Sequence, residues 1–182
     1  MDQIFAPWRI KWVKQGSENE EINGCVFCEL PKQNDDRDNL IVARSEHTFV
    51  LLNNYPYNPG HLMVIPHSHV ATFDELSDVE LLDHARMKAR TIEALDTAVN
   101  PAGFNVGVNL GGKAAGGSID DHLHTHVVPR WTGDANFMPV ISDTKVIVEA
   151  LEDTYEWVHE AFSEQAETNS TGLDTAVTIV DP

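Results

Sequence analysis

Apolar residues along the chain fall into short runs and two longer periodic stretches. "LIVAR" at 40–44 and "TFVLL" at 48–52, joined by Ser45-Glu46-His47, predict a β-hairpin. The turn-rich "NNYPYNPG" leads to a third predicted strand, "HLMVIP" at 61–66. The clearest helix starts near Ser77, which stands in capping-box spacing to Glu80, and runs to about Val99 before Asn100-Pro101. Leu82, Ala85, Ala89, Ile92 and Val99 share one stripe of it, which predicts that this face is buried. "FNVGVNL" at 104–110 predicts a strand, "GGKAAGGS" at 111–118 a glycine-rich loop delivering the chain to one more strand, and 145–166 a second helix. The order of elements predicts an α+β fold on a mainly antiparallel sheet of about five strands with two principal helices.

A chain of 182 residues is long enough for one domain with appendages. The expected division is an N-terminal arm (1–24), a domain (25–166) and a polar tail (167–182) that is either disordered or adds an edge strand. Charge narrows the function: 29 Asp and Glu against 12 Lys and Arg leave a net charge of −17. Such a field repels nucleic acid and anionic membranes, so neither is an expected partner. High salt would screen the self-repulsion, and a high-salt cytoplasm is one setting that suits this surface. With no signal-peptide pattern at the start and no run of about 18 apolar residues, a soluble cytoplasmic protein is expected.

Two features carry candidate chemistry. Cys25 and Cys28, in "NGCVFCEL", have the spacing of a metal knuckle or a redox pair. In "DDHLHTHVVPRW" His122, His124 and His126 alternate, which on a strand puts all three on one face and Leu123, Thr125 and Val127 on the other. The glycine loop just before them, with Gly116, Gly117 and Ser118, is suited to bring backbone N–H groups and a hydroxyl to a phosphate. Imidazole is a good nucleophile near neutral pH, and the phosphoramidate it forms breaks down readily, so one hard displacement becomes two easier ones.

"HLHTHVV" resembles the His-φ-His-φ-His-φ-φ motif of the histidine triad (HIT) superfamily, departing from it only at Thr125. "FAPWRIKWV", "LLNNYPYNPGHLMVIP", "GFNVGVNLGGKAAGGS" and "HLHTHVVPRWTGDANFMPV" are similar to the branch that contains diadenosine tetraphosphate phosphorylases and hydrolases. The resemblance implies a HIT-like fold, a homodimer, and cleavage of a dinucleoside polyphosphate through a covalent nucleotidyl-histidine intermediate. Alternatives are hydrolysis of an adenosine phosphoramidate or other AMP conjugate, and nucleotide binding without catalysis. It implies His124 as nucleophile, with His126 and Ser118 assisting at the phosphate, Asn109, Gly116 and Gly117 around it, and Asn53 on the ribose. Gly117 stands where the family usually has glutamine, which removes one leaving-group contact. A zinc-bearing subset implies a structural Zn2+ on Cys25, Cys28, His69 and His122, with His67 as the substitute for His69. Lys113 and Arg130 flank the triad and, with Mg2+ on the substrate, would offset the acidic total.

Overall fold

The computed structural model describes residues 24–115, 119, 121–134 and 150–180. Helix α1 (Val26–Glu29) is a single turn, and strands β1 (Ile41–Arg44), β2 (Thr48–Leu52) and β3 (Leu62–Pro66) follow it. Next come the long helix α2 (Asp78–Val99), β4 (Gly103–Gly107), β5 (Thr125–Arg130), α3 (Leu151–Ser163), β6 (Thr168–Asn169) and β7 (Val177–Ile179). The predicted hairpin, third strand and long helix are in place. The start of the second helix, 145–149, and the arm over 1–23 lie outside the described residues.

The strands form one sheet in the order β4-β5-β3-β2-β1-β7-β6. The first five are antiparallel neighbours, whereas β7 runs parallel to β1, with Ala43 opposite Val177. The expected five-stranded, mainly antiparallel sheet is therefore seven-stranded and mixed, and a one-turn helix joins the two principal ones. The two extra strands come from the residues expected to form a polar tail. Ala176, Val177 and Ile179 bury there, and the carboxylate of Asp36 accepts the Ala176 N–H at 2.9 Å while pairing with Arg44.

Strands β2 and β3 are buried at every position because both faces of the sheet are covered, which is why they read as unbroken apolar runs. Val50, Leu52, Leu62 and Val64 pack beneath α2 and α3 with Met87, Leu95, Val158 and Phe162. Phe49, Leu51, Met63 and Ile65 point the other way and meet Phe27 of α1. Ser77 and Glu80 close the capping box of α2 as predicted. The buried face of that helix differs from the predicted stripe: Leu82 is 52% exposed, and His84, Met87, Thr91, Ala94 and Leu95 turn inward. Two polar residues on this face each make one hydrogen bond there, and the buried Nδ1 of His84 has no partner among the described residues. Thr91 donates to the Met87 carbonyl at 2.7 Å, and His84 Nε2 lies 2.9 Å from Thr125 Oγ1.

Candidate active site and metal centre

Strand β5 begins at Thr125, so of the three histidines only His126 lies within it. The alternation persists upstream, where the Leu123 N–H donates to the Val70 carbonyl at 2.6 Å and His122 and His124 are both buried. His126 stands opposite Met63 on the face away from the long helices. Thr125 stands opposite Val64 on the helix side, against His84. The one departure from the family motif is thus half of a buried polar pair behind the triad.

The three histidines are not equivalent. His122 donates Nε2–H to the Pro66 carbonyl at 2.9 Å, which turns the Nδ1 lone pair toward Cys25 Sγ at 3.2 Å and Cys28 Sγ at 3.6 Å. His69 Nδ1 lies 3.2 Å from Cys28 Sγ, and ligand atoms of Cys25, Cys28, His69 and His122 all fall within 4.8 Å of one another. Tetrahedral zinc, with bonds of about 2.3 Å to sulfur and about 2.0–2.1 Å to nitrogen, needs ligand–ligand edges of about 3.3–3.8 Å, and the donor set fits. Asp121 is 3.8 Å from His69 Nε2, and the Pro66 carbonyl holds the far side of His122, the supports that ligating imidazoles require. Burial keeps His122 below the usual imidazole value and so in the neutral form that coordinates. His67 is elsewhere, stacked on Phe49 at 5.2 Å.

His124 donates Nδ1–H to the His122 carbonyl at 2.8 Å, leaving the Nε2 lone pair unprotonated. Its ring packs on Phe27 at 5.3 Å and edge-on to His126 at 5.0 Å. Phe27 also touches His122 at 5.6 Å, so the residue between the two cysteines bridges metal cluster and triad.

The proton on His126 is fixed by a fourth histidine. The Tyr57 main-chain N–H, which can only donate, points at His61 Nδ1 at 3.0 Å. His61 therefore carries its ring proton on Nε2 and donates it to His126 Nδ1, also at 3.0 Å. His126 must then hold its own proton on Nε2. Burial, with the neighbouring His124, lowers its pKa to about 4. Asn109 Nδ2 is 3.5 Å from that nitrogen, and with the proton on Nε2 the amide must turn to present its oxygen there.

Other predicted residues are less committed. Asn53 accepts the Tyr55 N–H at 2.8 Å in an Asx turn. Gly116, Gly117 and Ser118 lie outside the described residues, as does Asp120. Arg130 does not serve as a local cation for the triad: Asp134 binds it at 2.6 and 2.9 Å, and Asn105 at 2.6 Å. Sequence reasoning missed His61, Tyr57, Phe27 and His84. The signal for His61 was a histidine placed between a glycine and an apolar strand, where its main chain reads as strand entry.

A lone-pair imidazole beside an N–H donor imidazole, on a sheet fold of this topology, defines the class as a histidine-triad nucleotide hydrolase or transferase. The chain belongs to the HIT domain family, whose profile matches residues 34–133. It is 40% identical over 159 residues to the AP-4-A phosphorylase of Mycobacterium tuberculosis, covering 85% of this chain and 80% of that one. It is also 30% identical over 106 residues to the adenosine 5'-monophosphoramidase hnt1 of Schizosaccharomyces pombe, covering 58% and 74%. The fold is shared with a zinc-bound histidine triad family protein of Mycobacterium smegmatis at TM-score 0.61 and 24% identity, over 78% of this chain and 94% of that one. Among the described residues no helix is long and apolar enough to cross a membrane.

Proposed function

We propose that this enzyme cleaves a dinucleoside polyphosphate, of which diadenosine tetraphosphate is the model, through a nucleotidyl-His124 intermediate. The observation that carries the reading is the bond from His124 Nδ1–H to the His122 carbonyl, which frees Nε2 to attack. Nε2 forms a P–N bond to the α-phosphorus as the bridging P–O bond breaks and the remaining nucleotide departs. The ring keeps its Nδ1 proton, so the nucleotidyl-imidazole is cationic and leaves readily in the second step. His126 Nε2–H and Asn109, with Ser118, Gly116 and Gly117 from the loop, hold the phosphate oxygens, and Asn53 holds the ribose.

The neutral state of His126 discriminates between substrates. A neutral imidazole donates a hydrogen bond but has no spare proton to release. A nucleotide leaving group needs none, because its terminal phosphate ionises with a pKa near ~6. An amine leaving group does need one, so the geometry favours a phosphoanhydride over a phosphoramidate. The same state favours inorganic phosphate over water as acceptor, since a phosphate dianion attacks without a base. Both preferences agree with the similarity to a protein named AP-4-A phosphorylase. An intact nucleophile geometry speaks against a purely regulatory binding role.

Cys25, Cys28, His69 and His122 would hold a structural Zn2+, which would tie the segment around α1 to the triad. Mg2+ accompanies the substrate and lowers its repulsion from the acidic protein. The cytoplasmic enzyme is a homodimer. In support, β4 pairs only with β5 among the described residues, leaving its outer edge open, with Val106 47% exposed on it. Product analysis with diadenosine tetraphosphate tests the reading. ADP plus ATP formed only with phosphate is expected, and AMP formed without phosphate would replace phosphorolysis by hydrolysis. His124→Asn should lower turnover by at least about 10³-fold with the fold intact, and retained activity would remove His124 as nucleophile.

A further inference from the structure

We propose that Tyr57 is a positioning residue that keeps His126 a hydrogen-bond donor and bars it from acting as an acid, and that it thereby restricts the enzyme to leaving groups that depart without a proton. The inference rests on the reading above for the identity of the step, but its first half stands on geometry alone. Tyr57 lies in the turn before β3 and contributes twice. Its N–H donates to His61 Nδ1 at 3.0 Å. Its ring covers His61 at a centroid distance of 4.5 Å and His126 at 5.8 Å, tilted 34° and 37° to them. The side chain is 49% exposed, so its outer surface meets solvent while its inner surface seals a fully buried His61.

The polarity of this chain forbids a second proton on His126. A proton arriving at His126 Nδ1 would face the His61 Nε2–H. His61 could turn acceptor there only by moving its proton to Nδ1, where it would face the Tyr57 N–H, which cannot move. Each link is a donor, and the series starts at a main-chain amide with no alternative state. The ring adds the second restraint by keeping out water, which could otherwise accept the displaced proton or separate the two imidazoles. Among the described residues, His124 along the strand, His61 and Tyr57 from the β3 side, and the Asn109 amide face His126. Ring removal admits water to His61 and His126, so that His61 can turn and His126 can protonate.

With an amine leaving group, an imidazolium at His126 would give its Nε2 proton to the departing nitrogen as the P–N bond of the substrate breaks, returning to the neutral ring. The phosphoanhydride reaction has no use for that proton. Tyr57 is therefore a determinant of leaving-group class, acting through His61 and His126 without touching the reacting atoms.

The experiment follows the histidine ring nitrogens by NMR in the metal-loaded protein, with activity measured alongside. In the wild type, ring protons on Nε2 for His61 and His126 and on Nδ1 for His124 are expected; a proton on His126 Nδ1 would overturn the inference. Tyr57→Ala should raise the His126 titration midpoint by about one pH unit or more, and Tyr57→Phe should restore the wild-type midpoint. At pH 6 Tyr57→Ala should also raise turnover of adenosine 5'-phosphoramidate relative to diadenosine tetraphosphate by about tenfold. An unmoved midpoint removes the restraint, and a moved midpoint with an unchanged substrate ratio removes the link to leaving-group class. If Tyr57→Ala does not fold, Tyr57→Val carries the same measurements. Should the wild type cleave neither substrate, the proposed function fails, while the NMR result still decides the role of the ring.

Discussion

Taking the cation from the Cys25, Cys28, His69 and His122 cluster should cost the fold several kcal/mol. Cys25 and His122 are 97 positions apart, and Cys28 and His69 are 41 apart. A cross-link that closes a loop of about 100 residues removes about 4.7 kcal/mol of denatured-state entropy at 25 °C in the chain-entropy model. The shorter tie is nested within the longer one and adds little. Against this, the denatured chain can still bind a cation through the two cysteine sulfurs, which lowers the net effect to about 3–4 kcal/mol. For a chain of this size each kcal/mol moves the thermal midpoint by about 2–4 °C, so a fall of about 6–16 °C is expected. The assay is thermal and urea denaturation of wild type and Cys28→Ser, with and without chelator, metal content being checked by elemental analysis. Metal-loaded wild type should stand apart, while the other three samples melt together. A chelated wild type that has lost its metal and melts unchanged would refute the cross-link. So would a Cys28→Ser deficit of the same size with and without chelator.

Two further outcomes test the core around the site. Gly60 has φ +74°, and a Cβ there would meet Leu95 Cδ2 at 3.1 Å and Pro129 Cγ at 3.2 Å. Left-handed strain of about 1–2 kcal/mol and overpacking of about 1–3 kcal/mol predict that Gly60→Ala loses about 2–5 kcal/mol in urea denaturation; a loss below about 1 would count against this packing. Burial, with Lys88 nearby, lowers the His84 pKa from 6.5 to about 4. A folded pKa below the unfolded one means that the unfolded chain binds protons first on acidification. The neutral His84 thus contributes stability that is complete above pH 6.5 and lost as pH falls from there to about 4, by roughly 3 kcal/mol. His84→Leu with Thr125→Val should flatten that part of the stability–pH curve, and an unaltered slope between pH 6.5 and 4 would discount the pair.

The contrast between His124 and His84 shows what a sequence exposes. Three alternating histidines were legible as one face of an extended segment, and two cysteines in a short segment as half of a metal set whose histidines, His69 and His122, the family resemblance supplied. Strands β2 and β3 were legible because burial on both sides leaves an uninterrupted apolar run. The buried face of α2 was misplaced because His84 and Thr91 are polar in isolation: Thr91 turns its hydroxyl back onto the Met87 carbonyl one turn earlier, and the partner of His84, Thr125, lies 41 positions away. The strand β7 was hidden for a related reason: three residues carry little periodicity, and its place depends on Ala43 and Asp36, which lie far away in the chain. His61 was missed because its role belongs to its tautomer, which a main-chain donor sets.

Strands β7 and β6 would also limit how large an assembly of the proposed kind can grow. Sheets extend through bare edges, and a molecule bare at both ends can polymerise without limit. Here β7 occupies the outer side of β1, and beyond it β6 offers an edge of only two residues, Thr168 and Asn169. Among the described residues the β4 end is the longer edge, and a join of like edges about a two-fold axis would use it up. In the proposed homodimer the β7–β6 segment would therefore act as a terminator, favouring a closed pair over a filament.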